Sequence, residues 1–525
     1  MTDLIFYNGT LLTQDPTLPI AEALAVSNGR IVAVGTRAEL ENIAKPNTRR
    51  IDLGGRTLIP GFNDAHVHFW KVGHLLTTLL DVRGVSNIPA LQSTMQQFST
   101  RLPAGAWLMG RGYNEAVMTE GRHPTRYDLD SVLPDRPAYL IRTCAHIAVV
   151  NSKALELAGI TADTQPPPGG VIDRDEHGEP NGILRETAMG LVFNRIPAPT
   201  AAEYEAMLLA ATQHHFELGI TSATDPGVLP ELLTVYRQMD AEQKLTHRLN
   251  VMAIRRPDGG TETLPLPERY LSDHLRVDTV KFFADGALSG AAAALSIPYR
   301  NLTTKGVLRF EADEFFELAR EAHMTGLRIG THAIGDRALE MVLSTYERLN
   351  ALGPHIRHRI EHFGLASPEH MRRAKALGVM VAPQTIFLYA LGANFRRYLP
   401  DELMPRCYPV REMIEAGLTV ALSSDAPVVK DDNPLRGMQA AILRADASGS
   451  TIAPEQAISA EQALYCYTMG GATASGDEAN RGSLAVGKWA DLTVLSDNPL
   501  KVAPESLTDI QVDMAFVGGK LVFER

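Results

Sequence analysis

From about residue 57 to residue 474, short apolar runs alternate with longer runs whose apolar residues recur at helical spacing. Such alternation implies a parallel sheet, because parallel strands can be joined only by a crossover, usually a helix. The expected strands are 57–66, 220–225, 248–254, 277–283, 327–332, 357–362, 379–383 and 419–424, and helical runs at 312–323, 337–349, 368–377 and 410–416 fall between several of them. Eight strands of this kind predict an α/β fold, a (β/α)8 TIM-like barrel. A doubly wound open sheet is the competing architecture.

Two features modify that plan. Both ends of the chain have the texture of small β segments: turns at Asn8-Gly9, Asn28-Gly29 and Gly518-Gly519 punctuate apolar alternation, which predicts hairpins. Residues 1–56 together with 475–525 are expected to form a composite β-sandwich beside a barrel domain of 57–474. The connection from residue 65 to 218 is far longer than a barrel loop, so an inserted subdomain of about 75–218 is expected after the first barrel strand. A second excursion covers 286–310. Both depart from the carboxyl ends of strands, where barrel enzymes build their sites.

Composition narrows the classes of partner. The 525 residues carry a formal net charge of -11, which disfavours nucleic acid or an anionic membrane. No run approaches the ~20 apolar residues that span a bilayer, and the first residues lack a signal-peptide pattern, so a cytoplasmic location and a small-molecule substrate are the expectation. Homo-oligomerisation is left open. The three cysteines, Cys144, Cys407 and Cys466, are too widely spaced for a disulfide framework and read as buried thiols, with Cys144 close to other polar candidates.

The first expected strand ends on His66-Val67-His68. Residues i and i+2 share a face of a strand, so two imidazoles can meet one metal ion. Further candidates stand at the ends of other strands: Lys281 in an apolar run, His332, His362 and Asp425. Taken singly, each has an ordinary structural alternative: a snorkelling lysine, hydrogen-bonded core histidines, a helix N-cap. Their joint placement at strand ends one, four, five, six and eight points to one site.

In that order the set resembles the amidohydrolase superfamily of metal-dependent hydrolases. The resemblance is carried by Ile59-Pro60-Gly61-Phe62-Asn63-Asp64-Ala65-His66-Val67-His68, Asn151-Ser152-Lys153-Ala154-Leu155, Val280-Lys281-Phe282-Phe283-Ala284-Asp285-Gly286, Thr331-His332-Ala333-Ile334-Gly335-Asp336-Arg337-Ala338, Ile360-Glu361-His362, Ser423-Ser424-Asp425-Ala426-Pro427 and Gly482-Ser483-Leu484-Ala485-Val486-Gly487-Lys488-Trp489-Ala490-Asp491-Leu492. It covers essentially the whole chain and is closest to the amidohydrolase family 3 branch, which includes deformylases of N-substituted formamides. Phe62 and Asn63 depart from the commoner wording of the first motif.

The resemblance implies hydrolysis of a linear amide, N-acyl or N-formyl C–N bond by a metal-bound hydroxide, with one or two divalent ions, zinc first among them. It further implies a carboxylated Lys281 (N6-carboxylysine) bridging one metal held by His66, His68 and Asp425 and a second held by His332 and His362, with Asp425 shuttling the proton. Arg142 and His146 in the insert, with Cys144 between them, are candidates for substrate contact, as is Asp285, four residues beyond Lys281. Asp336 and Arg337 are expected simply to open a helix, and Glu361 to point away from His362. Tyr113, Phe193, Phe387 and Tyr389 are candidates for an apolar pocket. Two alternatives stand beside this expectation. A deaminase of a small cyclic compound is disfavoured because no glutamate follows His332 or His362 at the usual spacing. A metal-free scaffold is disfavoured because no ligand is missing.

Overall fold

The computed structural model describes residues 2–143, 146–258 and 260–525. The chain forms two compact units, one of residues 1–70 and 211–525, the other of 71–210. In the first, eight strands lie side by side in sequence order: β1 (Phe62–Asp64), β2 (Ile220–Val228), β3 (Arg248–Ile254), β4 (Leu275–Phe283), β5 (Arg328–Ala333), β6 (Arg359–His362), β7 (Met380–Ala382) and β8 (Thr419–Val420). Every neighbouring pair is parallel. The sheet curls so that its ends meet: Ala65 N lies 3.5 Å from Leu422 O, and Asp425 N donates to His66 O at 2.7 Å. This is the expected TIM-like barrel, not an open sheet.

The period-2 alternation of strands sorts the side chains. On β4, Val280 and Phe282 face outward, where they join Ile329, Ile360, Val381, Phe315, Leu339 and Tyr346 in the main apolar core between strands and helices. Lys281 faces the other way, into the barrel, and is fully buried. Helix Ala312–Met324 buries Phe315, Phe316, Ala319 and Ala322, one apolar stripe at helical spacing. Helix Pro368–Ala376 starts where Ser367 accepts a hydrogen bond from His370 N and Pro368 pre-sets the first turn.

The expected strand 57–66 is in fact two strands in different sheets. Thr57–Pro60 pairs with Thr10–Leu12 and with Leu492–Leu495, whereas β1 belongs to the barrel. Gly61 makes the change of sheet: a Cβ there would lie 2.1 Å from Thr221 Oγ1. Strands from both termini build a six-stranded mixed sheet and a four-stranded sheet. These share one core of Leu4, Phe6, Leu11, Leu24, Ile31, Leu58, Leu492 and Phe516, with Phe6 and Phe516 edge to face at 4.9 Å, as a sandwich requires.

The 71–210 unit is organised on its own six-stranded mixed sheet, which runs from Gly170–Arg174 through Pro180–Glu186, Ile147–Val150, Ala138–Arg142 and Leu108–Tyr113 to Leu79–Asp81. Cys407 and Cys466 are buried free thiols, as expected, and burial pushes both up to about 12. Cys144 lies outside the described residues. Among the described residues, no helix is long and apolar enough to cross a membrane.

Candidate metal centre

The carboxyl ends of the barrel strands carry the candidate residues. Closure of the barrel brings the first and last of them together: Asp425 N donates to His66 O, and His68 N donates to Ala426 O at 2.8 Å. This backbone pairing sets His66 Nε2 3.5 Å and His68 Nε2 3.4 Å from the same Asp425 oxygen. Ligand atoms of His66, His362 and Asp425 all fall within 4.8 Å of one another, a set able to hold a divalent ion. His332 stands beside them, its ring 4.3 Å from that of His362. His66, His68, His332, His362 and Asp425 line one cavity of about 140 Å³.

The tautomers of two histidines follow from their neighbours. His66 Nδ1 lies 2.5 Å from Glu361 Oε2. Burial alone would raise the Glu361 carboxyl, but Arg359, His66 and Lys281 hold it well below the ordinary range. An ionised carboxylate only accepts, so Nδ1 carries the proton and Nε2 presents a lone pair. His362 Nδ1 lies 2.5 Å from Gln384 Oε1. Gln384 Nε2 donates to Ala382 O at 2.7 Å and Ser423 Oγ at 2.9 Å, which fixes the amide so that Oε1 is the acceptor. His362 Nε2 is therefore also left as a lone pair. Burial, followed by the Lys281 charge, pushes His66 down to about 3, so its neutral form persists across the physiological range.

Glu361 is the participant that strand alternation misassigned. On β6, alternation does put Arg359 and Glu361 inside, and it would put His362 outside. His362 adopts φ +72°, in the left-handed region, and this reverses its direction so that both neighbours face the centre. Arg359 is wholly buried, donates to Glu361 at 2.6 and 2.8 Å and to Ala65 O at 2.7 Å, and ties β6 to the segment that bears His66. Glu361→Gln keeps the shape but leaves a buried guanidinium without its anion and a single amide oxygen for which Arg359 and His66 compete. Divalent-ion affinity, measured by competition with a chromogenic chelator, is expected to fall by about 10–100-fold, with a lower unfolding temperature.

Lys281 is the chemically conspicuous residue of the barrel interior. It is fully buried, and its Nζ has no hydrogen-bond partner among the described residues. The centroid of the Phe283 ring lies 4.8 Å from Nζ. Burial pulls it down to about 8, an effect that the carboxylates of Glu361 and Asp425 partly offset.

The remaining candidates have other surroundings. Asp285 is buried and accepts from Ala294 N, Ile334 N and Gly335 N at 2.8–3.1 Å, with His332 Nε2 3.4 Å away, so its oxygens bind the loops after β4 and β5 together. Asp336 opens helix Asp336–Leu352 and accepts from Ser296 N at 2.8 Å. Arg142 and His146 belong to the 71–210 unit: Arg142 donates to both oxygens of Glu115 at 2.7 and 2.8 Å, and the exposed His146 lies 3.0 Å from Glu186. Of the four aromatic candidates, Phe387 lines the cavity, Tyr389 lies under the Arg436 guanidinium, and Tyr113 and Phe193 are in the 71–210 unit. Leu288, Ile334, Leu391, Phe395 and Tyr408 complete much of the wall.

A barrel with buried histidines and an aspartate convergent at the carboxyl ends of its strands is the framework of a metal-dependent hydrolase. The profile of the amidohydrolase family matches residues 49–523, and the chain belongs to that family. It is 30% identical to the N-substituted formamide deformylase of Arthrobacter pascens, over all of this chain and 99% of that protein. Crystal structures described as uncharacterized metal-dependent hydrolases are also similar. That from Pyrococcus furiosus is 28% identical with a TM-score of 0.80, covering 95% of this chain and 100% of its own. That from Pyrococcus horikoshii OT3 is 26% identical with a TM-score of 0.81, covering 96% and 99%. The protein is an amidohydrolase, a metal-dependent hydrolase of C–N bonds.

Proposed function

We propose that the substrate is a linear amide, of the N-formyl or N-acyl kind, and that zinc is the ion. The observation that carries the metal assignment is the pair of histidines locked with Nε2 lone pairs towards one buried aspartate. Imidazole and carboxylate ligands together suit zinc, with manganese, iron and cobalt as competitors. The formamide deformylase relative, similar over its full length, supports the amide class.

The residues that would hold the ion are His66, His68, His362 and Asp425, with His332 beside them. A bound divalent ion supplies Lewis acidity that makes water a nucleophile at neutral pH and polarises a carbonyl. Asp425 accepts the proton of the attacking water and returns it to the leaving nitrogen, its carboxylate being placed by the two backbone bonds that join the ends of β1 and β8. Glu361 and Gln384 hold His66 and His362 in the tautomers they need. The buried amine of Lys281, without a hydrogen-bond partner among the described residues, suits carboxylation: the neutral amine adds to carbon dioxide, forming an N–C bond with loss of one proton, and the resulting anionic carbamate has oxygen donors where an ammonium would repel a cation.

The test is a panel of N-formyl, N-acetyl and cyclic amides offered to zinc-loaded and chelator-treated protein. Hydrolysis of linear amides that disappears on chelation and returns with zinc is expected. Protein that retains no divalent ion, or that acts only on cyclic amidines with release of ammonia, contradicts the proposal.

A further inference from the structure

The cavity beside the metal centre has an unusually apolar wall. Apart from the four histidines and Asp425, the described side chains that line it are Phe283, Ala287, Leu288, Ser289, Ile334, Phe387, Leu391, Phe395, Tyr408 and Val428. No arginine or lysine is among them, so a carboxylate on the substrate would find no counter-ion there. Two hydroxyls remain as polar groups, on Ser289 and Tyr408. Ser289 is half-buried. Tyr408 is completely buried, and its hydroxyl has no hydrogen-bond partner among the described residues. A buried hydroxyl left without a partner is costly, and native proteins rarely tolerate one unless a ligand or an ordered water supplies what is missing.

The position of Tyr408 is enforced from behind. Its backbone sits at φ +49°, a conformation an aromatic residue seldom adopts. Tyr408 N donates to Gly364 O at 2.7 Å, which ties it to the loop after β6. Arg444, also wholly buried, donates to Tyr408 O at 2.8 Å, Cys407 O at 2.6 Å and Ile452 O at 3.1 Å. A guanidinium devoted to three main-chain carbonyls thus holds the tyrosine in a strained geometry, while Phe387 and Phe395 pack on its ring with centroids 6.2 and 6.0 Å away. Tyr408 is thus one of the residues that line the cavity, and nothing among the described residues satisfies its hydroxyl.

We propose that Tyr408 is a substrate-binding hydrogen-bond donor, its phenol O–H directed to the carbonyl oxygen of a neutral, apolar amide held in this cavity. The proposal rests on the amide-hydrolase function and adds to it the residue that reads the substrate oxygen and the absence of charge in the favoured substrates. A phenol is neutral at physiological pH and donates. Strengthening of that bond as the carbonyl oxygen gains charge would favour the transition state over the ground state.

The test uses benzamide, a neutral aromatic amide that is slow to hydrolyse, titrated calorimetrically into the full-length protein, both zinc-loaded and chelator-treated. Tyr408→Phe is expected to retain wild-type zinc content, to unfold at the same or a higher temperature because an unsatisfied buried hydroxyl has been removed, and to bind benzamide about tenfold more weakly in both forms. Equal affinity in wild type and Tyr408→Phe would overturn the assignment, as would absence of benzamide binding to wild type. So would loss of affinity in Ser289→Ala instead, or an unfolding temperature several degrees lower in Tyr408→Phe, which would show the hydroxyl already partnered within the protein. Should wild type hold no divalent ion, the hydrolase proposal fails, and the chelator-treated arm still decides the role of Tyr408.

Discussion

Asp425→Asn is expected to lower kcat by roughly a thousandfold while zinc content stays near that of wild type. The amide side chain has the shape of the carboxylate and keeps one oxygen as a donor to a cation, but it cannot take up a proton from water and deliver it to nitrogen. The residue is well placed for that task. Its backbone adopts φ +54°, and its N–H donates to His66 O, so the side chain stands against both His66 and His68 at 3.4–3.5 Å. Steady-state kinetics on the amide that wild type hydrolyses best, with metal analysis of the same preparations, gives the answer. Near-normal kcat would remove Asp425 as the proton shuttle; loss of the zinc together with activity would reassign it as a ligand alone.

Lys281→Ala is expected to lower divalent-ion affinity by about 10–100-fold, the range typical of removing a group that supports a metal site. A short-chain carboxylate such as propionate should restore part of the metal content, because it can enter the space left by the lysine and offer the oxygens that a carbamate would. The reasoning is steric and electrostatic. Lys281 is fully buried with no hydrogen-bond partner for its amine among the described residues, and it lies in the field of His66, His362 and Glu361. Left as an ammonium it would oppose a cation; converted to a carbamate it would bind one. Full metal occupancy in Lys281→Ala without added acid would contradict the carbamate.

The barrel and most of the candidate residues are legible in the sequence. Strands 248–254 and 277–283 were expected within two residues of where β3 and β4 lie, because continuous apolar runs bounded by turns are what a strand buried on both faces requires. Lys281, His332 and Asp425 could be singled out because a polar residue at the end of an apolar strand is out of place unless something uses it. The expected strand 57–66 is too long, since the sequence has no mark distinguishing an unbroken strand from two strands in different sheets. Only the proximity of Thr221 to Gly61 shows why a glycine stands at the change.

By itself, then, the sequence determined the architecture and the set of chemical groups: periodicity is a local property, and the order of the strands around a parallel barrel is the order of the chain. Tertiary structure alone decided which groups meet and how they are oriented. Glu361 and His362, adjacent in the chain, both face the centre because one left-handed residue, His362, departs from the alternation that any strand-based derivation assumes, and Glu361 thereby shares the site as the partner of His66. Tyr408 came to the cavity wall because Arg444, 36 residues away in the chain, holds its carbonyl. Such contacts depend on dihedral angles and on long-range packing within a closed barrel, and neither is encoded in the spacing of residue types.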